Sequence, residues 1–223
     1  KCGHWAGKVP WNAETVRSHI DRSLKRLQTH QLDLVQIHSC GKDVLEQEEV
    51  IRTLMDAKDT GKTRFLGYSG DNKEAKWAIN SGLFDSIQTT FNLVDQAART
   101  QLFPDAQKKG IGIIVKRSMA NGAWGGSFEG TGATTQYKNI QDRVQKMTSL
   151  GPIPGALRNR ILMSLGFTFA HPEIDVVLVG TTNSMHLASN IQLVENQLPI
   201  QNELVKAFHL RFEKIGSNWG QLT

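Results

Sequence analysis

Apolar residues recur at helical spacing between Glu14 and His30, at Val16, Ile20, Leu24 and Leu27, and this spacing predicts an amphipathic helix. Asn12 stands where a cap belongs, and Glu14 lies in the first turn, near the positive end of the helix dipole. The run Leu32-Asp33-Leu34-Val35-Gln36-Ile37-His38 follows and reads as a buried strand that delivers a histidine to a sheet edge. That histidine stands out because its proton is mobile near neutral pH. A second helix is predicted from about Leu45 to Thr60, with Val50, Ile51, Leu54 and Met55 on its apolar stripe and Gly61 as its stop.

The alternation continues. Thr63 to Tyr68 is a predicted strand, Lys73 to Ser81 a short helix closed by Gly82, and Phe84 to Thr90 another strand. The segment 93–109 reads as helical with a break at Pro104. Ile111 to Arg117 is an almost unbroken apolar run, which suits a strand covered on both faces. Residues 118–156 carry seven glycines and two prolines and read as a long Gly-rich loop acting as a mobile lid. Leu157, Ile161, Leu165 and Phe169 predict a helix ended by His171-Pro172, and Ile174 to Gly180 the last strand. Two helices finish the chain, one striped by Leu187, Ile191 and Val194, the other by Leu204, Phe208, Phe212 and Ile215.

Strands alternating with helices imply a parallel β/α architecture, either an open doubly wound sheet or a barrel. No Gly-x-Gly-x-x-Gly follows any strand, which disfavours a dinucleotide-binding Rossmann sheet and leaves the barrel ahead. Five strands are clear, whereas a closed TIM barrel of the (β/α)8 kind has eight. The expectation is a single partial β/α-barrel domain over 1–223.

Composition narrows the function. With 39% hydrophobic residues the chain can bury one core, and no run approaches the ~18 apolar residues of a membrane helix. No signal-peptide-like apolar stretch opens it, so the cytoplasm is the expected location. Cys2 and Cys40 are too few for a disulfide scaffold and lack metal-site spacing, so reduced thiols are expected. The net charge of +5 forms no basic block with interleaved aromatics, which argues against nucleic acid. Solvated helix faces account for it, and so does an anionic small ligand.

Chemistry in a β/α barrel sits at the C-terminal ends of the strands. Here those ends offer His38, Ser69, Gln88 with Asn92, Lys116 with Arg117, and Gly180 with Thr181 and Thr182. They are hydrogen-bonding and basic groups with no carboxylate cluster for a metal, and they suit an anionic ligand that bears an amide. Taken singly, a histidine at a strand end is more often structural, and Ser69-Gly70-Asp71-Asn72 is as easily a turn with a helix cap.

The chain resembles the aldo-keto reductase family through an ordered series. It comprises Ser23-Leu24-Lys25-Arg26-Leu27 before the 32–38 strand, Gly61-Lys62-Thr63-Arg64-Phe65-Leu66-Gly67-Tyr68-Ser69, and Phe84-Asp85 leading to Gln88. Gly110-Ile111-Gly112-Ile113-Ile114, Val179-Gly180-Thr181 and the helix carrying Asn190 complete it. The resemblance implies a β/α barrel that binds NADPH, or alternatively NADH, in extended form and passes hydride to a small aldehyde or ketone. The implied site holds an Asp, a Tyr, a Lys and a His. His38 matches the family histidine that hydrogen-bonds the carbonyl as charge develops on its oxygen. Lys1 matches the lysine whose charge lowers the tyrosine's pKa.

By the same resemblance Ser69 and Gln88 hold the nicotinamide carboxamide, and Asn190 contacts adenine. Gly180, Thr181, Thr182 and His186 line the adenosine phosphate region, where the helix start suits an anion. Gly70 stands where many members have asparagine. Lys116, beside Arg117, stands where a tyrosine often stacks on the nicotinamide; a lysine there can pair with phosphate or, in a rival aldolase reading, form a Schiff base. Trp5, Trp11 and Trp124 are candidates for a carbonyl pocket or for packing plugs. No residue matches the family Asp or Tyr, so impaired catalysis is expected. A preceding segment or a second chain would complete the barrel, and a non-catalytic nucleotide-binding subunit is the alternative reading.

Overall fold

The computed structural model describes residues 1–4, 10–124 and 135–222. Trp5 and the middle of the expected lid lie outside the described residues. Five strands are described, β1 (Leu32–His38), β2 (Thr63–Ser69), β3 (Ser86–Thr90), β4 (Gly112–Lys116) and β5 (Val176–Val177), and their order in the sheet is the order of the chain. The pairings β1–β2, β2–β3 and β4–β5 are parallel. The chain divides into two compact units, Lys1–Thr89 with Pro104–Ile113, and Thr90–Phe103 with Ile114–Thr223.

In the first unit α1 (Ala13–Leu27) begins where the Asn12 side chain accepts from Thr15 N. The stripe predicted for α1 is right at its start, where Val16 and Ile20 are buried, and wrong at Leu27, which is 68% exposed in the last turn. α1 packs against α3 (Glu48–Asp59), which buries Val50 and Leu54. Each such side chain contributes about 1.5–3 kcal/mol of hydrophobic stabilisation. The helix expected from about Leu45 to Thr60 is α3, which starts three residues later than expected, and Leu45 instead ends a separate short helix, α2 (Lys42–Leu45). α4 (Asn72–Ser81) ends on Gly82 in the left-handed conformation, as the glycine suggests. The 93–109 stretch gives α5 (Ala97–Gln101), which belongs to the second unit, and α6 (Phe103–Lys108), with Pro104 in the first turn of α6, where its missing N–H is harmless.

The second unit corrects several expectations. Residues 118–156 contain a 15-residue helix, α7 (Thr135–Ser149), with Tyr137, Ile140 and Met147 buried. β4 alternates buried and half-buried positions where cover on both faces was expected. The last strand is only two residues long, and the neighbouring Leu178 is 43% exposed. α8 (Arg160–Phe169) buries Leu162, Met163, Leu165 and Phe167, while Ile161 and Phe169, two of the four residues predicted to face the core, lie outside. α9 (Ser184–Gln197) turns Leu187 and Ile191 outward and buries Asn190 and Leu193. α10 (Asn202–Ile215) follows its predicted stripe through Leu204, Phe208 and Phe212.

Phe167 lies at the centre of this unit, stacked on Phe91 at 5.5 Å and edge-on to Phe208 at 5.7 Å. Two histidines close the cluster, with His171 Nε2 2.9 Å from His209 Nε2. Because the Phe167 carbonyl 2.8 Å from His171 Nδ1 can only accept, that nitrogen carries the proton and Nε2 accepts from His209. A proton added to His171 Nε2 would set two donors against each other. Burial first, then the charges of Arg99 and His171, push the His209 pKa down to about 4 against the pull of Glu213. Burial also lowers that of His171, with Glu173 opposing.

Folded pKa values below the unfolded 6.5 mean that the unfolded chain takes up protons first. Stability is therefore complete above about pH 7 and falls as the pH drops from 6.5 towards 4. With solvent screening at half-buried His209, about 1–2 kcal/mol should be lost. Urea midpoints at pH 7.5 and 5 measure it, and His209→Asn should shrink the difference.

Candidate functional site

Adjacent parallel strands bring three of the predicted residues into register. His38 on β1 pairs with Ser69 on β2, and Ser69 pairs with Gln88 on β3. All three stand at or near the C-terminal ends of their strands, where the side chain of one register row is next to the following one. His38 is half-buried. Its backbone is pinned on both sides, because its N–H donates to Cys2 O and its carbonyl accepts from Trp11 Nε1 at 2.7 Å. His4 lies beside it, ring centres 6.1 Å apart, and packs edge-on against Trp11.

Lys1 is held through its neighbour. Cys2 bridges in parallel to Ile37, with Cys2 N donating to Gln36 O, so Lys1 sits on the strand-like segment beside β1. The Lys1 side of the site is thus tied to the same strand as His38.

Ser69 is fully buried, and its Oγ has no hydrogen-bond partner among the described residues. A buried hydroxyl left unpaired costs roughly 1–3 kcal/mol, so this oxygen is a natural place for a ligand's polar group. The departure at Gly70 has a steric reason. A Cβ there would lie 2.3 Å from the Tyr68 Oη, and Tyr68 is locked in place by donating to Cys40 O at 2.9 Å. Burial raises the Tyr68 pKa well above its usual value, and raises both cysteine thiols to about 12, so neither Cys2 nor Cys40 supplies a thiolate.

The remaining predicted residues belong to the second unit. Lys116 is half-buried at the end of β4. Arg117 spends its Nη1 on Thr90 Oγ1 and on Leu222 O, which fixes the C-terminal tail. Asn92 likewise serves the backbone, donating to Arg117 O and accepting from Val94 N. Gly180, Thr181 and Thr182 are exposed ahead of α9, whose start Asn183 caps by accepting from Met185 N, and His186 is exposed on its first turn. Asn190, one turn further, is 5% exposed with an unpartnered Oδ1, unlike an ordinary surface residue. Trp124 packs on Phe208 at 5.4 Å. Among the described residues no three His, Cys, Asp or Glu side chains converge on a metal position, and no helix is long and apolar enough to cross a membrane.

The model of the aldo/keto reductase family matches residues 1–204. The chain belongs to the aldo/keto reductase family. It is similar to L-galactose dehydrogenase of Arabidopsis thaliana, 28% identical over an alignment of 204 residues that covers 87% of this chain and 62% of the relative. It is also similar to 6-dehydroglucose reductase of Novosphingobium aromaticivorans, 26% identical over 82% of this chain and 58% of that protein. An aldo-keto reductase from Bacillus halodurans in its holo form superposes with a TM-score of 0.73 at 22% identity, over 90% of this chain and 68% of that one, and shares its fold. This reductase-family chain thus spans about three-fifths of the length of these curated relatives, and its five parallel strands with their helices are part of a (β/α)8 barrel.

Sequence reasoning missed Asp95 and Arg143 in this aldo/keto reductase family chain. The two approach to 3.4 Å, buried, and Arg143 Nη2 donates to Gly220 O at 2.6 Å. The available signal was the helical spacing of Tyr137, Ile140 and Met147, which places Arg143 on the same inward face.

Proposed function

We propose that this chain carries the histidine and most of the cofactor contacts of an NADPH-dependent reductase acting on a small aldehyde or ketone. The observation that carries the reading is the continuous register His38, Ser69, Gln88 across three parallel strands, with the Ser69 hydroxyl buried and unpartnered. The cofactor would supply hydride. Ser69 and Gln88 would hold its carboxamide and so fix which ring face is presented. His38 would hydrogen-bond the carbonyl oxygen, where charge builds up as the hydride arrives. Lys1 would lower the pKa of the proton donor by its charge. Gly180, Thr181, Thr182, His186 and Asn190 would receive the adenosine end, with the α9 start favouring its phosphate. Lys116 and Arg117 complete the proposed cofactor set, Lys116 facing phosphate.

Neither tyrosine of the chain can donate the proton. Tyr68 Oη is committed to Cys40 O, and Tyr137 is buried on α7. The donor therefore comes from a preceding segment or another chain, and these 223 residues alone should turn over more slowly by roughly 10²–10⁴.

Titrating NADPH against the chain, followed by cofactor fluorescence, tests the reading. Saturable binding is expected, weakened about fivefold by Ser69→Ala, the equivalent of one hydrogen bond of ~1 kcal/mol. Because the Ser69 oxygen is closed to solvent, binding has to open that strand end. An affinity identical in wild type and Ser69→Ala, or no binding at all, would sink the proposal.

A further inference from the structure

A second row of residues lies next to the candidate row, on the same face of the sheet. Residues two apart along a strand share a face, so Gln36, Gly67 and Ser86 lie on the same side of β1, β2 and β3 as His38, Ser69 and Gln88, and they pair in the same order. Rows inside a β/α barrel are commonly filled by bulky branched side chains. This one holds two polar groups on either side of a glycine. Gln36 and Ser86 are 7% and 8% exposed, and neither Gln36 Nε2 nor Ser86 Oγ has a hydrogen-bond partner among the described residues.

The glycine brings the two side chains to a common point. A Cβ on Gly67 would lie 2.6 Å from Ser86 Oγ and 3.0 Å from Gln36 Cγ, so both lean into the space that any other residue would fill. Glycine inside a strand marks such a close approach. An amide N–H that only donates and a hydroxyl that donates or accepts are together matched by water, which does both. Buried polar groups without protein partners are where ordered water is retained. A cavity of about 380 Å³ bounded by Leu34, Phe65 and Ser86 reaches the row from the N-terminal side of the strands. The carboxylates beside it do not compete for the water, since Asp33 pairs with Arg64, and Asp85 accepts from Leu66 N and pairs with Lys58.

We infer that Gln36 and Ser86 hold an ordered water over Gly67, and that this water is the footing of the Ser69 hydroxyl in the row above. Ser69 Oγ accepts from the water and keeps its own proton for the cofactor carboxamide. Gln36 and Ser86 are thus positioning residues, a role that rests on the reductase reading given above, whereas the water itself does not.

Water–amide cross-relaxation in the ¹⁵N-labelled chain tests the water directly. The Gln36 side-chain amide, assigned by its loss in Gln36→Met, should show contact with a long-lived water. Ser86→Ala should weaken that signal, and Gly67→Ala/Ser86→Ala, whose added methyl fills the space, should abolish it. Ser86→Ala should also weaken NADPH about threefold, the share of one hydrogen bond reached through water. A Gln36 amide without the water signal, or with one unchanged in both variants, overturns the site whatever the cofactor does. NADPH that binds wild type and Ser86→Ala equally overturns the positioning role. A wild type that binds no NADPH takes that role down with the reductase reading, and the water then stands or falls on its own signal.

Discussion

Phe167→Ala should destabilise the second unit by about 3–5 kcal/mol, whereas Phe169→Ala, two residues on, should cost less than about 1 kcal/mol. Phe167 is wholly buried, stacked on Phe91 and edge-on to Phe208, His171 and His209 at 5.0–5.7 Å, so truncation opens a cavity with rigid walls. It also removes the ring that shields the hydrogen-bonded histidines from water, which should raise their pKa values and blunt the acid sensitivity described above. Phe169 is 44% exposed and leaves little behind. Urea unfolding of both variants, compared at equal slope, measures the contrast. Equal losses would restore the 157/161/165/169 stripe as the core face.

That stripe failed for a physical reason. The segment Ile161-Leu162-Met163-Ser164-Leu165-Gly166-Phe167 is apolar almost all round, so a 3.6-residue period fits more than one face, and tertiary packing makes the choice. α9 fails differently. Its Leu187 and Ile191 are periodic but exposed, and a polar residue, Asn190, takes the inner position. The strands were far more legible. β1, β2 and β3 lie within two residues of their predicted bounds because β-branched runs end at glycine or polar turns. The register that aligns His38, Ser69 and Gln88 follows from those bounds, so this part of the candidate site could be read directly.

What could not be read was set by long-range packing. α7 is polar along most of its surface, and glycines on both sides gave its neighbourhood the composition of a loop. Gly70 is the reverse case. Its departure from the family pattern was visible at once, and the Tyr68 ring explains it.

Asp95→Ala should cost about 3–5 kcal/mol, because it takes away the opposing charge beside a buried guanidinium. Asp95 is 1% exposed and accepts from Leu222 N at 2.8 Å while facing Arg143 Nη1 at 3.4 Å. Burial, the largest influence, lowers the Arg143 pKa, and the charge of Asp95 opposes it. Without Asp95 the guanidinium keeps Gly220 O and its place over the Trp219 ring, 4.9 Å from the centre, but loses its closest compensating charge. Asp95→Ala/Arg143→Met should therefore recover much of the loss, since removing both charges leaves neither stranded. The tail binds at two more points, Gln221 Nε2 to Thr90 O at 2.7 Å and Arg117 to Leu222 O at 2.8 Å. Loosening it should release Arg117, so limited proteolysis of Asp95→Ala should clip the C-terminal residues ahead of the rest. A variant as stable as wild type and equally resistant there would show that the tail is held without this pair.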